Sequence, residues 1–236
     1  MQTEAFVAKP KRLVKQVLKV LVLVGVSLAA LFFVARLIWR FSGSNQWEFV
    51  QEVKGVKIYS LKAPGLDLKQ FKGIVRVRST LASIIKFMQD PEICPDVGCH
   101  DLKVIERVDD QLQYWSFRYS LPFPFQTREF VTRVQVSQNQ QTKEVLMWVA
   151  AAPDKTPPHD CCFRVTDMNN TWRLTPLENG QVDIEYVINM NQGGFVPDLF
   201  LNVGTPRFML LILPNLQGFL NREKYRDAKF DFIKGS

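Results

Sequence analysis

The sequence predicts an α+β fold in which a curved antiparallel sheet packs on a long C-terminal helix, preceded by one N-terminal transmembrane helix. Three observations predict it. Val20 to Ala35 is a run of 16 residues without a charge. From Trp47 to Met190, short apolar runs alternate with turn-forming residues. After Gly193-Gly194 the pattern changes to a helix that is apolar on more faces than one sheet covers, with Phe208 to Leu213 as its greasiest stretch.

Charge locates the first element. Residues 1–46 carry seven basic groups (Lys9, Lys11, Arg12, Lys15, Lys19, Arg36, Arg40) and one acid, Glu4, so +6 of the net +7 sits there. The remainder is nearly neutral. A nucleic-acid binder carries its basic footprint on the folded domain itself, so the composition argues against nucleic acid as a partner.

Sixteen residues at about 1.5 Å each give roughly 24 Å of helix, slightly short of a ~30 Å hydrocarbon core. Lys19 and Arg36 close the gap by snorkelling, and Leu37, Ile38 and Trp39 extend the span to an interfacial tryptophan. Five basic residues precede the run and two follow it. The positive-inside rule therefore places the N-terminus in the cytosol and the domain across the membrane, in the periplasm if the source is bacterial. A cleavable signal peptide is the competing reading, since Ser27-Leu28-Ala29 offers small residues to a peptidase and cleavage would release a secreted or periplasmic domain. Leu31-Phe32-Phe33-Val34 continues the helix past that site and favours a retained anchor. The expected organisation is a basic cytosolic segment (1–19), a transmembrane anchor (20–39), a flexible polar linker (40–46) and one domain (47–236).

Within the domain, Phe71 to Arg78 alternates as a half-buried strand. Ser79 or Thr80 then caps a helix whose Leu81, Ile84, Ile85 and Met88 recur at helical spacing. Strands follow at Leu102–Val108, Gln111–Leu121, Phe130–Gln138, Glu144–Ala151, Cys161–Thr166, Thr171–Leu174 and Val182–Met190, with Asp109-Asp110 and Asn179-Gly180 as tight turns. Trp115, Phe117 and Tyr119 share one strand face, as do Val182, Ile184, Tyr186, Ile188 and Met190. The last helix starts at Pro197, because proline suits a first helical position. Gly204, Pro206 and Pro214 should interrupt it, since proline lacks the N–H of the helical ladder.

Several short motifs stand in a telling order. Trp47 and Gly55-Val56-Lys57-Ile58-Tyr59 open the domain, and Leu121-Pro122-Phe123-Pro124 leads into Arg128-Glu129-Phe130-Val131. Phe163-Arg164 and Trp172-Arg173-Leu174-Thr175-Pro176 follow, then Gly193-Gly194-Phe195-Val196-Pro197-Asp198-Leu199. Together these resemble the bacterial START-like (StAR-related lipid transfer) branch of the helix-grip superfamily over residues 47 to 220, with Glu129 in place of the family's Asp. The resemblance implies a central hydrophobic cavity closed by the C-terminal helix. Trp115, Phe117, Tyr119, Tyr186 and Ile188 would line it, and Phe195, Val196, Leu199, Met209 and Ile212 would form the lid. Some sterol-binding members carry an acid and an arginine in the cavity. The acid aligns with Asp101, but the arginine position holds Val134 and Arg133 faces the other way, so no sterol-specific ion pair is implied. Pro95 stands where the family often has tryptophan.

Little else in the sequence suggests chemistry. The chain lacks nucleophile motifs, a P-loop, a dinucleotide fingerprint and HExxH, and neither His100 nor His159 sits in a triad-like context, so no catalytic residue and no cofactor is expected. Cys94 and Cys99 bracket a short loop and suit a local disulfide. Cys161 and Cys162 would face opposite sides of a strand, where a bridge is strained. The cysteine and histidine spacings match no standard zinc pattern, so no metal is expected. Asn169-Asn170-Thr171 is a formal glycosylation sequon, relevant only in a eukaryotic secretory pathway. The expected function is lipid transfer or sensing beside the bilayer. A cyclase-like enzyme using the same cavity and a ligand-free interaction module are the alternatives.

Overall fold

The strands form one long sheet whose main path is antiparallel throughout. It was obtained as a computed structural model that describes residues 10–234. The strands are β1 (Trp47–Val53), β2 (Val56–Leu61), β3 (Gln70–Arg78), β4 (His100–Arg107), β5 (Leu112–Tyr119) and β6 (Arg128–Gln138). After them come β7 (Val145–Ala151), β8 (Phe163–Arg164), β9 (Asp167–Pro176), β10 (Gln181–Ile188) and β11 (Met190–Asn191). The main path runs β1-β2-β3-β10-β9-β7-β6-β5-β4, while short β8 pairs parallel with β6, and β11 pairs with β9. The helices are α1 (Pro10–Phe41), α2 (Leu81–Met88), α3 (Asp198–Ile212), α4 (Leu216–Leu220) and α5 (Glu223–Arg226).

Alternation dictates which face packs. On β10, Val182, Ile184, Tyr186 and Ile188 are buried while the intervening residues are partly exposed. The Asn-Gly signal makes the hairpin turn it predicts, with φ of 64° at Asn179 and 70° at Gly180. Thr80 caps α2 by accepting from the Ser83 amide at 3.0 Å. Across the concave face, α3 and the turn after it approach β3 at Gly73. A Cβ there would lie 2.3 Å from Leu213 Cδ1, so only glycine lets the two come this close.

Four expectations are corrected. The long helix caps at Pro197 instead of starting on it, and α3 runs unbroken through Gly204 and Pro206. Leu201, Pro206, Met209 and Ile212 are buried against the sheet, and that packing outweighs one missing ladder bond. Only Pro214 changes the geometry, tightening Leu213–Asn215 into a 3₁₀ turn before α4. Residues 161–166 are mostly not strand: Cys161 and Cys162 occupy the turn before β8 and are bonded to each other. Cys94 and Cys99 are likewise bonded, closing the loop after α2.

The last correction concerns the linker. Ser42 to Asn45 is tied down, because Asn45 donates to the Lys62 carbonyl and Gly65 to the Arg40 carbonyl. The apolar residues of α1 from Leu13 to Phe41 are not buried, and their length and composition make the helix a candidate membrane span. Residues 1–9 of the basic segment lie outside the described residues.

A hollow between the sheet and the C-terminal helix

Between the concave sheet face, α2, α3 and α4 lies a cavity of about 180 Å³. Strands β5, β6, β7, β9 and β10 each turn alternate side chains into it: Trp115, Phe117 and Tyr119; Phe130 and Val134; Met147 and Val149; Met168, Asn170 and Trp172; Tyr186. Phe208, Ile212 and Leu216 close it from the helical side, and Phe87, Met88 and Leu102 from the end near the Cys94–Cys99 loop. Aromatic stacking organises the walls. Trp172 lies parallel to Tyr186 with ring centroids 3.7 Å apart, and Phe117 stacks on Phe130 at 4.9 Å.

Polar groups are few, and three of them have hydrogen-bond partners. Trp115 Nε1 donates to Gln113 Oε1 at 3.0 Å, and the Tyr119 hydroxyl donates to the Val97 carbonyl at 3.3 Å. Asn170 Oδ1 accepts from the Asn189 amide at 2.9 Å. Burial pushes the Tyr119 phenol far above its ordinary value. Burial does the same to Tyr186, reinforced by Tyr119 and partly offset by the Asn170 side chain. Both phenols are therefore neutral hydrogen-bonding groups at any physiological pH.

The predicted site residues divide. Trp115, Phe117, Tyr119, Tyr186 and Ile212 line the cavity. Ile188 and Met209 are buried in the surrounding core, Met209 being directed toward Gly73 of β3, and Val196 is buried but is not among the lining residues. Phe195, in the loop before α3, and Leu199, on the first turn of α3, face solvent at 95% and 74% exposure. Asp101 is also outside: it takes a left-handed φ of 56° at the start of β4 and pairs with Arg118 at 3.0 Å. Lining residues that sequence reasoning passed over were partly visible. Met190 shares the β10 alternation, Phe87 and Met88 lie on the helix after Thr80, and Trp172 sits within a quoted motif. Met168 carried no such signal.

Two buried cations brace the rim. Arg128 is buried without a carboxylate partner among the described residues, and burial lowers its pKa. Its guanidinium donates to the Gln126 carbonyl at 2.6 Å and the Gly193 carbonyl at 2.9 Å, so it ties the loop before β6 to the junction before α3. Phe163 packs over Arg128 and against Gly193, where a Cβ would meet its ring at 2.4 Å. Next door, Glu129 is buried and accepts from Arg164 Nε at 2.8 Å and from His159 Nδ1.

Burial opposes the Glu129 charge, but bonds from Arg164 and His159 outweigh it and hold the carboxyl below the usual glutamate range. A depressed folded pKa contributes stability above the unfolded pKa and loses it as pH falls through the folded value. The thermal midpoint should therefore fall as pH drops below the ordinary glutamate range. Glu129→Gln should flatten that acid limb while lowering the midpoint at neutral pH, as melts across the pH series will show.

With this geometry in hand, comparison with known proteins is informative. No family model matches the chain. A STAR-related lipid transfer protein from Xanthomonas axonopodis superposes with a TM-score of 0.69 at 22% identity, covering 75% of this chain and 99% of that one. The fold is that of a START domain. The human StarD13 lipid transfer and protein localization domain matches this START fold with a TM-score of 0.66 at 13% identity, over 75% of this chain and 90% of that one. Human StAR-related lipid transfer protein 5 matches with a TM-score of 0.62 at 18% identity, over 82% and 97%. In sequence, an uncharacterised protein of Pseudomonas aeruginosa is 22% identical over 162 residues, 67% of this chain and 79% of that protein. Helix α1, ahead of the first strand, supplies the candidate membrane span.

Proposed function

We propose that this protein is a membrane-anchored START-like module that binds a hydrophobic ligand of the lipid class, for transfer or sensing. The observation that carries this reading is the hollow itself: an apolar chamber at the position where an ordinary domain packs solid. Its volume is below the ~300–1,000 Å³ usual for ligand sites, so the ligand must push side chains aside. The walls suit that demand. Four of the six methionines, Met88, Met147, Met168 and Met190, line the cavity, and unbranched thioethers repack at low cost. The titratable groups facing the chamber are phenols kept neutral by burial, which supports binding rather than catalysis.

Solvent extraction of the purified full chain, followed by mass spectrometry, is expected to return a lipid in near-stoichiometric amount. An empty chain that also refuses added fluorescent fatty acids, lysolipids and sterols overturns the reading. The charge asymmetry around Val20–Ala35 supports a domain on the far side of the cytosolic membrane. A reporter active only in the cytosol, fused after Ser236, is then expected to stay silent, and clear activity rejects that topology.

A further inference from the structure

The anchor helix does not end freely. Lys62, at the end of β2, is 7% exposed, and its ammonium lies against the carbonyl oxygens of Arg40, Ser42, Ala63 and Leu66. A cation on the last carbonyls of a helix satisfies groups the ladder leaves over and complements the negative end of the helix dipole. Further contacts secure the joint. Trp39 Nε1 donates to the Asp67 carbonyl at 3.1 Å, Arg40 Nε to the Gly65 carbonyl at 3.1 Å, and Arg36 pairs with Asp67 at 3.5 Å. Gly43 passes so close to Lys62 that a Cβ would lie 2.3 Å from its carbonyl oxygen.

The same loop holds the long helix. Asn202 of α3 donates to the Asp67 carbonyl at 3.1 Å and accepts from the Lys69 amide at 2.9 Å. Arg40 and Asp198, the end of α1 and the first residue of α3, line one crevice. The anchor exit and the start of α3 are therefore at one pole of the domain. Leu66, Phe195 and Leu199, exposed by 52%, 95% and 74%, lie on the loop and helix start that form this pole.

We propose that Lys62 clamps the anchor to the domain, so that the pole bearing Leu66, Phe195 and Leu199 is seated in the interfacial layer of the leaflet from which α1 emerges. This rests on the reading that residues 20–39 span a membrane. The occupant is a lipid surface because the same pole carries the chain's own apolar helix. The collar is of the kind found at bilayer interfaces: Lys62 and Lys69 lie 5.1 and 5.6 Å from the Trp39 ring, beside Arg36 and Arg40. Large apolar side chains left bare at such a position gain from burial among acyl chains. The seating also fixes which way the START fold faces, placing the N-terminal end of α3 against the source of ligand.

The test uses the full chain reconstituted in phosphatidylcholine–phosphatidylglycerol vesicles with dibrominated acyl chains, which quench nearby indoles. The emission added by Phe195→Trp or Leu199→Trp is expected to be largely quenched. That added by Glu178→Trp, in the exposed turn at the other end of β10, is expected to persist. Equal quenching at the two ends, or none at either, overturns the seating. Carbonate washing separates the underlying reading: chain released from vesicles means α1 does not span, whereas chain retained with an unquenched Phe195→Trp indole means the seating alone is wrong. In a retained and folded Lys62→Met variant, the quenching at position 195 is expected to fall toward that at position 178. Unchanged quenching removes Lys62 from the clamp, and the comparison of positions 195 and 178 in the parent stands whether or not that variant folds.

Discussion

Arg164→Ala is expected to destabilise the domain by about 3–5 kcal/mol, the usual cost of stranding one charge of a buried ion pair. Arg164 is 9% exposed in its side chain and Glu129 2%. The Arg164 guanidinium makes four hydrogen bonds, to Glu129 Oε2 at 2.8 Å from Nε and to the carbonyls of Pro153, Thr156 and Pro157 at 2.6 to 3.0 Å, and Nη2 also lies 2.7 Å from Glu129 Oε2. Truncation leaves an acid in the wall without its main partner and frees three carbonyls that pin the loop after β7. The contrast is Arg173→Ala. Arg173 pairs with Glu144 at 2.7 Å but is half exposed, and exposed pairs contribute roughly 0–1 kcal/mol. Denaturant unfolding of the detergent-solubilised chain should separate the two variants clearly. Similar small losses for both would mean that the Glu129–Arg164 pair does not brace this wall.

Val134→Trp is expected to abolish ligand loading. Val134 is 1% exposed, sits mid-strand on β6 and points into the hollow. An indole there occupies the space the ligand needs, and overpacking should cost about 1–3 kcal/mol of stability. Arg133→Trp is the matched control, one residue away on the opposite face of the strand. Co-purified lipid should fall to background in Val134→Trp and remain at the parental level in Arg133→Trp. A folded Val134→Trp that loads like the parent would show that ligand enters elsewhere or not at all.

Much of the fold was legible because the sequence carries its periodicities openly. Strand β10 alternates from Val182 to Ile188, the turn at Asn179-Gly180 carries its own conformational signature, and α2 starts at a threonine cap. Alternation showed that Trp115, Phe117 and Tyr119 share one strand face and that Tyr186 lies on another, since a strand presents every second side chain to one face, but it was the resemblance that made those faces the wall of a cavity. The lid was less legible. Phe195 and Leu199 resemble core residues in composition, yet they are bare: Phe195 lies in the loop before α3, and the rotation of α3 that exposes Leu199 is set by Asn202, Met209 and Gly73 rather than by local hydrophobicity. The breaks expected at Gly204 and Pro206 failed for a similar reason: propensity is local, and the packing of a whole helix face overrides one lost hydrogen bond.

The amino-acid sequence by itself determined the class of the molecule. An apolar run of membrane length, alternating strands punctuated by turns, and a final apolar helix each follow from short-range geometry. Tertiary structure alone decided three things. It decided how large the hollow is, which depends on how wall side chains from five strands fail to meet. It placed Asp101 outside the cavity, through a left-handed backbone angle and an ion pair with a neighbouring strand. It also turned an apparently flexible linker into a joint, because Lys62 is distant in sequence from the helix end it caps. Each depends on contacts between residues far apart in the chain, and no local pattern encodes a contact whose partner arrives only on folding.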